Sequence, residues 1–153
     1  MRIKQAQRKD ARPIALCGSC SSTFKVRYPS QTFCTQICFQ QSVYINFINR
    51  WQAGIEDGCA IANASVSNYI RRYLKESRGE KCEQCGWSER NLTSGKIPIE
   101  LDHIDGNHKN NKETNLRLLC PNCHSLTSTY KNLNKGNGRQ NRRAGVCRMA
   151  EGT

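Results

Sequence analysis

The chain has 153 residues, of which 37% are hydrophobic, and a formal net charge of +12 from 24 basic and 12 acidic residues. No stretch approaches the roughly 18 apolar residues of a membrane span, and the first residues lack the apolar run of a secretion signal. These features exclude a membrane protein and favour a polyanionic partner, most commonly nucleic acid. A merely soluble basic surface is the alternative.

Ten cysteines accompany this small apolar content. A small module with little core usually needs disulfides or bound metals for its stability. In the absence of a secretion signal we expect a cytoplasmic location, where closely paired cysteines bind metal rather than form disulfides. The sequence therefore predicts small, metal-stapled modules.

Residues 1–39 are predicted to form a basic arm, over 1–12, and then a zinc finger. Two close pairs of thiolates suit one tetrahedral Zn²⁺, with a disulfide or unligated thiols as the alternatives. The four cysteines of this finger are Cys17, Cys20, Cys34 and Cys38. The apolar residues expected to form a small hairpin between the two pairs are Phe24, Val26, Tyr28 and Phe33.

Residues 40–79 are predicted to be a helical linker region. Apolar spacing predicts one helix over 40–54, ending at Gly54, and a second over 65–77 with Ser65 or Ser67 as its cap. A helix-turn-helix over 55–76 is a weaker alternative. Basic residues opposite the apolar face of the second helix either are solvated or contact DNA; they are Arg71, Arg72 and Lys75.

Residues 80–133 contain a second cysteine module, in which 34 residues separate two CxxC pairs. Two such pairs complete the shell of a structural zinc and leave no open position. The four cysteines are Cys82, Cys85, Cys120 and Cys123. Between and after the pairs, the sequence predicts a strand over 97–104, a loop over 105–115, a strand over 116–119 and a helix over 121–134. Trp87 is expected to pack beside this zinc.

Asp102, His103 and His124 are surplus to the second zinc. Neighbouring strand residues point to opposite faces, so Asp102 and His103 are not expected to share one ion. Asp102 and His124 offer an oxygen and a nitrogen to a divalent cation, with positions left for water and a phosphate oxygen. An imidazole that is not needed as a ligand, as at His103, suits a general base.

The stretch from Cys82 to about Tyr130, roughly a third of the chain, resembles the HNH nuclease finger, also called the ββα-metal or His-Me finger. It is most similar to small, zinc-braced HNH endonucleases of bacteriophages, including free-standing homing endonucleases. The resemblance extends to the upstream sequence SNYIRRYLKESRGEKCEQCGWSERN. It implies an α+β protein with an N-terminal four-cysteine zinc finger, connecting helices and a C-terminal ββα-metal finger with a four-cysteine zinc site of its own.

The resemblance also implies roles for single residues. His103 would be the base that activates water, and Asp102 and His124 would bind the catalytic metal. Asn115 would hold the loop and the base in position by hydrogen bonds. Hydrolysis would leave a 5′-phosphate and a 3′-hydroxyl. Colicin-type relatives carry a further histidine where this chain has Ser128, which favours a two-ligand metal site here.

The predicted function is therefore a metal-dependent DNA endonuclease, of the phage homing type or a nickase, in the host cytoplasm if phage-encoded. Its cofactors would be two structural Zn²⁺ and one catalytic Mg²⁺ or Mn²⁺. Its partner would be double-stranded DNA, with no obligate protein partner evident. The alternative is a non-catalytic, zinc-dependent nucleic-acid-binding protein built on an HNH finger. Homing, packaging and restriction roles stay open.

Basic residues near the finger and in a predicted flexible tail, residues 134–153, are expected to bind phosphates. His108 has no place in the pattern and is expected to be a solvated loop residue. The further candidate DNA contacts are Arg117, Lys131, Arg139, Arg142 and Arg143.

Overall fold

The computed structural model of this small α+β protein describes residues 12–60 and 65–134. The chain divides into two compact units, residues 1–46 and residues 47–153. Nearly all of the predicted basic arm and tail, including Arg139, Arg142 and Arg143, lies outside the described residues. None of the described helices has the length and apolar character needed to cross a bilayer.

The first unit is built on a two-stranded antiparallel hairpin. Strand β1 (Ile14–Leu16) pairs with β2 (Thr23–Lys25). The turn between the two strands carries Cys17 and Cys20, and it is closed by the backbone N–H of Ser21, which donates to the carbonyl of Cys17 at 2.9 Å. The hairpin thus presents the first cysteine pair at its tip.

The predicted position of this hairpin, between the two cysteine pairs, is wrong. Of its four expected apolar residues, Phe24 lies in β2 and the other three follow that strand. The physical reason is that the first CxxC sequence is itself a tight turn, so the strands form on either side of it. Phe33 instead packs edge-on against Phe39, with ring centroids 5.7 Å apart.

Helix α1 (Gln36–Gln52) begins earlier than the predicted residue 40. The side-chain oxygen of Thr35 accepts a hydrogen bond from the backbone N–H of Cys38 at 3.2 Å, which satisfies one of the unpaired donors of the first turn. Cys38 therefore belongs to the helix rather than to a loop before it. Gly54 has φ +75°, a conformation that ends a helix, as predicted.

Helix α2 (Asn68–Arg78) contributes buried apolar side chains to the second unit. Its cap is Ser67, whose hydroxyl accepts from the backbone N–H of Tyr69 at 3.3 Å. Ile70 and Leu74 are fully buried, which confirms the predicted apolar face. The helix-turn-helix alternative is wrong, because no described residue between 55 and 67 is helical.

A partly buried arginine ties α2 to the remainder of the second unit. Arg78 donates to the carbonyl of Leu116 at 2.7 Å and to that of Glu113 at 3.0 Å, and its guanidinium pairs with Glu83 at 3.3 Å. Carbonyl acceptors and a carboxylate together satisfy a fixed fork of donors. The helix is thereby held against the strand that begins at Leu116.

A strand, a loop, a strand and a short helix form the finger. Strands β3 (Glu100–His103) and β4 (Leu116–Leu119) pair antiparallel, with Asp102 opposite Arg117. Helix α3 (Pro121–Ser125) follows at once and contacts both strands. The predicted range of the second strand is confirmed, and the order of elements is that of a ββα finger.

Two of the predicted ranges in the finger are too long. The first strand covers four residues rather than 97–104, because Pro98 has no N–H to donate and Ile99 donates to Ile97 in a local turn at 2.8 Å. The helix predicted over 121–134 ends at Ser125. The hydroxyl of Thr127 donates to the carbonyl of His124 at 2.9 Å and so competes with further helical bonds.

The second cysteine cluster is part of an apolar core. Leu119 is fully buried beside the cysteines, and Trp87 and Ile99 pack against the same group. The expected place of Trp87, beside the cysteine knuckle, is confirmed. The second unit is therefore held by one apolar layer under α2 and by this smaller core under the finger.

Candidate active site

Each of the two cysteine sets converges to the size of one metal ion. We call Cys17, Cys20, Cys34 and Cys38 the N-terminal cluster, and Cys82, Cys85, Cys120 and Cys123 the finger cluster. Within each cluster all four sulfurs lie within 4.8 Å of one another, and none of the eight cysteines is in a disulfide. Sulfurs about 2.3 Å from a tetrahedral zinc lie about 3.8 Å apart, and the Cys85–Cys120 separation is 3.8 Å. Both clusters could therefore hold a metal ion.

Metal-free thiols within one cluster differ strongly in acidity. Backbone hydrogen bonds from Cys20 and Cys34 lower the pKa of Cys17 to about 6. Burial opposes ionisation of Cys82, but backbone hydrogen bonds from its neighbours outweigh it and lower that pKa to about 6. Sharing hydrogen bonds with Cys38 raises the pKa of Cys34 to about 12. One thiol in each cluster thus ionises readily, whereas full deprotonation requires a cation.

Asp102 and His124 meet above the finger cluster. Asp102 is buried, and its Oδ1 lies 3.6 Å from Nε2 of His124. Arg117, directly opposite on β4, donates from Nε to the other carboxylate oxygen at 2.8 Å. Nδ1 of His124 contacts the carboxylate of Glu100. One oxygen of Asp102 and one nitrogen of His124 therefore remain for a shared ligand.

His103 lies on the same strand and meets different side chains. Its Nε2 is 2.9 Å from Oδ1 of Asn111, a residue of the loop between β3 and β4. Asp102 and His103 are adjacent on the strand but have different neighbours, as expected if the two residues serve different tasks. The imidazole of His103 is half-buried.

Asn115 organises the loop rather than the histidine. Its Nδ2 donates to Oδ1 of Asp105 and to the carbonyl of Asn110, both at 2.8 Å, while its Oδ1 accepts from the N–H of Asp105 at 3.1 Å. Burial disfavours the ionised form of Asp105, but hydrogen bonds from Asn110 and Asn115 outweigh this effect and lower its pKa. The predicted contact between Asn115 and the loop is present, whereas the asparagine side chain that meets His103 is that of Asn111.

The predicted phosphate-binding residues have varied surroundings. Arg72 pairs with Glu76 at 2.7 Å and Lys75 with Glu80 at 3.0 Å. Lys131 lies outside α3, with its ammonium 4.8 Å from the ring centroid of Tyr130. The ring of Tyr130 in turn packs edge-on against His124, at 5.2 Å between centroids. Tyr130 therefore connects Lys131 with His124, although the expected helical stripe is absent. The DNA contacts stay predictions.

Sequence reasoning missed two side chains of this site. Glu100 is two positions before Asp102 on a strand, and strand periodicity places both on one face, so that signal was available. Asn111 has no comparable signal, because its contacts reach residues 51, 57 and 59, far away in the sequence.

Comparison with known proteins identifies the finger. A family model described as HNH endonuclease matches residues 82–129. These residues form an HNH endonuclease domain. The H-N-H endonuclease F-TflIV of Escherichia phage T5 is 36% identical over 138 residues, which cover 86% of this chain. The chain spans only 56% of that phage protein. No solved structure matches the chain.

The residues matched by the family model coincide with the finger seen in the structure. It begins at Cys82, the first residue of the finger cluster, and it ends beyond His124. The HNH domain thus contains the finger cluster, both strands and the three side chains at positions 102, 103 and 124. The resemblance inferred from the sequence is confirmed.

Proposed function

We propose that this protein is a metal-dependent endonuclease that hydrolyses phosphodiester bonds of double-stranded DNA with one divalent cation. The observation that carries the proposal is the meeting of Asp102 and His124, 3.6 Å apart, beside His103 on the HNH finger. Hydrolysis of a phosphodiester by one metal ion needs a group that accepts a proton from water and, next to it, side chains that bind the cation. The similarity to a phage endonuclease supports the same activity.

The residues present fit a small divalent cation. Asp102 offers a carboxylate oxygen and His124 an imidazole nitrogen, and two protein ligands leave further positions for water and phosphate oxygens. A bound Mg²⁺ or Mn²⁺ would supply positive charge to the phosphate and to the leaving oxygen. Both donors are held by neighbours, since Arg117 occupies Oδ2 of Asp102 and Glu100 contacts Nδ1 of His124.

The chain's own residues account for the proton transfer. His103 takes a proton from water as the water oxygen forms a bond to phosphorus. The bond from phosphorus to the 3′ oxygen breaks, and that oxygen takes a proton from solvent. The products are a 5′-phosphate and a 3′-hydroxyl. Asn115 contributes by bracing the loop through Asp105, not by touching the phosphate.

Binding of DNA is assigned to the basic surface and to the zinc modules. A net charge of +12 favours a polyanion, and affinity that rests on phosphate contacts falls steeply with salt. The proposed phosphate contacts are Arg117, which pairs with Asp102, Lys131 beside Tyr130, and Arg71, Arg72 and Lys75 on α2. Zn²⁺ is the proposed occupant of both cysteine clusters, because four thiolates match its tetrahedral preference.

The proposed setting is that of a phage homing-type endonuclease or nickase acting in the cytoplasm of the host. The phage T5 relative and the single finger support this setting. One finger makes one cut in one strand, so a monomer would nick and a pair of chains would cut both strands.

Incubation of the protein with supercoiled plasmid and Mg²⁺ or Mn²⁺ tests the activity. We expect relaxed or linear product that EDTA abolishes and that His103→Ala reduces by about 10²- to 10⁴-fold. His108→Ala is the matched control, since it removes an imidazole from the loop that follows His103, outside the proposed site. DNA ligase should reseal the nicks without prior kinase treatment if the ends are as proposed.

Retarded but uncut DNA would contradict the proposal. If the wild-type protein binds plasmid as tightly as His103→Ala does and neither cuts it in either metal, the non-catalytic binding protein becomes the better description. Equal cleavage by wild type and His103→Ala would instead remove His103 from the role of base.

A further inference from the structure

Asn111 is among the most buried polar residues of the second unit, with 2% of its surface exposed. Among the described residues its side chain makes three polar contacts, and one of them is to His103, the proposed base. Oδ1 lies 2.9 Å from Nε2 of His103, while Nδ2 lies 3.1 Å from the carbonyl oxygen of Asp57 and 3.4 Å from Sγ of Cys59.

The Asp57 contact fixes which way the amide of Asn111 faces. A backbone carbonyl can only accept a hydrogen bond, so the amide end beside Asp57 must be the NH₂ group. The oxygen of the amide then faces His103, and it too can only accept. Nε2 of His103 must therefore carry the proton, which leaves the lone pair on Nδ1.

The backbone around Asn111 makes this arrangement rigid. The indole N–H of Trp51 donates to the carbonyl of Asn111 at 2.8 Å. Gly58 has φ +76°, and a Cβ built there would lie 2.5 Å from Ile70 and 3.0 Å from Cβ of Asn111. Only glycine lets the 57–59 segment approach Asn111 this closely.

Asn115 cannot perform the same task. Its amide is fully engaged with Asp105 and Asn110, and within the described part of the chain none of these side-chain hydrogen bonds reaches an imidazole. The two asparagines therefore have separate partners, since Asn115 closes the loop and Asn111 meets the histidine.

We propose that Asn111 is a positioning residue that holds His103 with its proton on Nε2, so that Nδ1 receives the proton of the attacking water. This inference rests on the proposed nuclease function for the role of His103, but the tautomer follows from the hydrogen bonds alone. The segment around Gly58, 45 residues before His103, is thereby part of the machinery that sets the base.

Nitrogen NMR of the three histidines tests the tautomer without any substrate. Full-length, zinc-loaded, ¹⁵N-labelled protein is measured at about pH 8, where an ordinary imidazole is neutral. His103 is assigned by its absence from the His103→Ala spectrum. We expect the Nε2–H tautomer and an N–H proton that exchanges slowly with water, because the hydrogen bond shelters it. An Nδ1–H tautomer at His103 would overturn the proposal.

Variants then separate positioning from general stability. Asn111→Ala should lose the sheltered N–H signal and lower kcat by about 10- to 100-fold with an unchanged KM for DNA, a part of what a positioned base contributes. Asn111→Asp keeps an oxygen that accepts from Nε2 but loses the donor to the carbonyl of Asp57, so it should retain the signal in a less stable protein. Trp51→Phe removes the indole anchor to the backbone of Asn111 and part of the packing against Tyr73, so it should lower stability yet keep the signal.

The outcomes distinguish this inference from the proposed function. If His103 has the expected tautomer but the protein cuts no DNA, the contact between Asn111 and His103 stays as inferred and the proposed nuclease function is contradicted. An active nuclease whose His103 signal and kcat are unaffected in folded Asn111→Ala would remove Asn111 from the site. If Asn111→Ala does not fold, the tautomer of His103 in the wild-type protein still decides.

Discussion

The N-terminal cluster and the finger cluster have the same four ligands but very different surroundings. In the N-terminal cluster, only Cys17 is buried, and the hairpin that carries it leaves Ile14 and Leu16 about two-thirds exposed, at 69% and 68%. In the finger cluster, three of four cysteines are buried and a fully buried leucine, Leu119, packs against them.

These surroundings indicate a separate purpose for each metal. The finger cluster ends on α3, where Cys123 is followed at once by His124. A metal held there would fix the helix that presents His124, the proposed cation ligand, and it would complete an apolar core. The N-terminal cluster joins a hairpin to the first turn of α1, so its metal would stabilise the first unit by itself.

The largest expected effect is that of Cys82→Ser. Loss of one thiolate should prevent metal binding at the finger cluster, and binding free energy at such sites is of order 10 kcal/mol in small zinc modules. We expect the second unit to unfold and cleavage to disappear. Zinc content, circular dichroism and plasmid cleavage report these three changes. Full activity with one zinc missing would contradict the proposed role of this cluster.

Cys17→Ser is the matched change in the other cluster, at a thiol of similar burial and similar pKa, about 6. One zinc should again be lost, but the second unit should keep its fold and cleave DNA at saturating concentration. The apparent affinity for DNA should fall, because the first unit no longer presents an ordered surface. Gel retardation and the dependence of the cleavage rate on DNA concentration measure it. Complete inactivation at saturating DNA would show that the clusters are not separable in this way.

Glu100→Gln tests the proposed catalytic cation separately from the metals of the two cysteine clusters. A carboxylate beside Nδ1 orients a metal-binding imidazole and increases its basicity, and loss of such a partner usually costs about 10- to 100-fold in metal affinity. Binding of Mn²⁺, measured by electron paramagnetic resonance, should weaken by about 10-fold while both zinc ions stay bound. Glu80→Gln, which breaks a surface ion pair with Lys75, should leave Mn²⁺ affinity unchanged.

The smallest expected effect is the dependence of zinc affinity on pH. Binding of zinc must remove protons from thiols such as Cys34, whose pKa is raised to about 12, whereas Cys17 and Cys82 are already ionised above about pH 6. Lowering the pH from about 8 to about 6 adds protons that zinc must displace, so affinity at both clusters should decrease. Competition with a chromophoric chelator measures this decrease. An affinity that rises on acidification would contradict thiolate ligation.

Local sequence was sufficient for the features that depend on short spacing. The two CxxC pairs of the finger, its second strand and the adjacency of Cys123 and His124 follow from neighbours in the chain, whereas the sequence does not choose between Ser65 and Ser67 as the cap of α2. These features involve residues only a few positions apart, and the backbone geometry over so short a stretch is nearly fixed. The identity of the HNH domain followed from the same local features, together with Asp102 and His103.

Tertiary structure alone decided which side chain meets His103. Asn111 meets His103 because residues 51–59 pack against the loop, and no periodicity connects segments that lie so far apart in the chain. The early end of α3 at Ser125 has a local cause instead, because the hydroxyl of Thr127 donates to a carbonyl only three residues before it. Long-range packing selects among many loop conformations of similar local energy, so the residues that hold the proposed base become visible only in the folded chain.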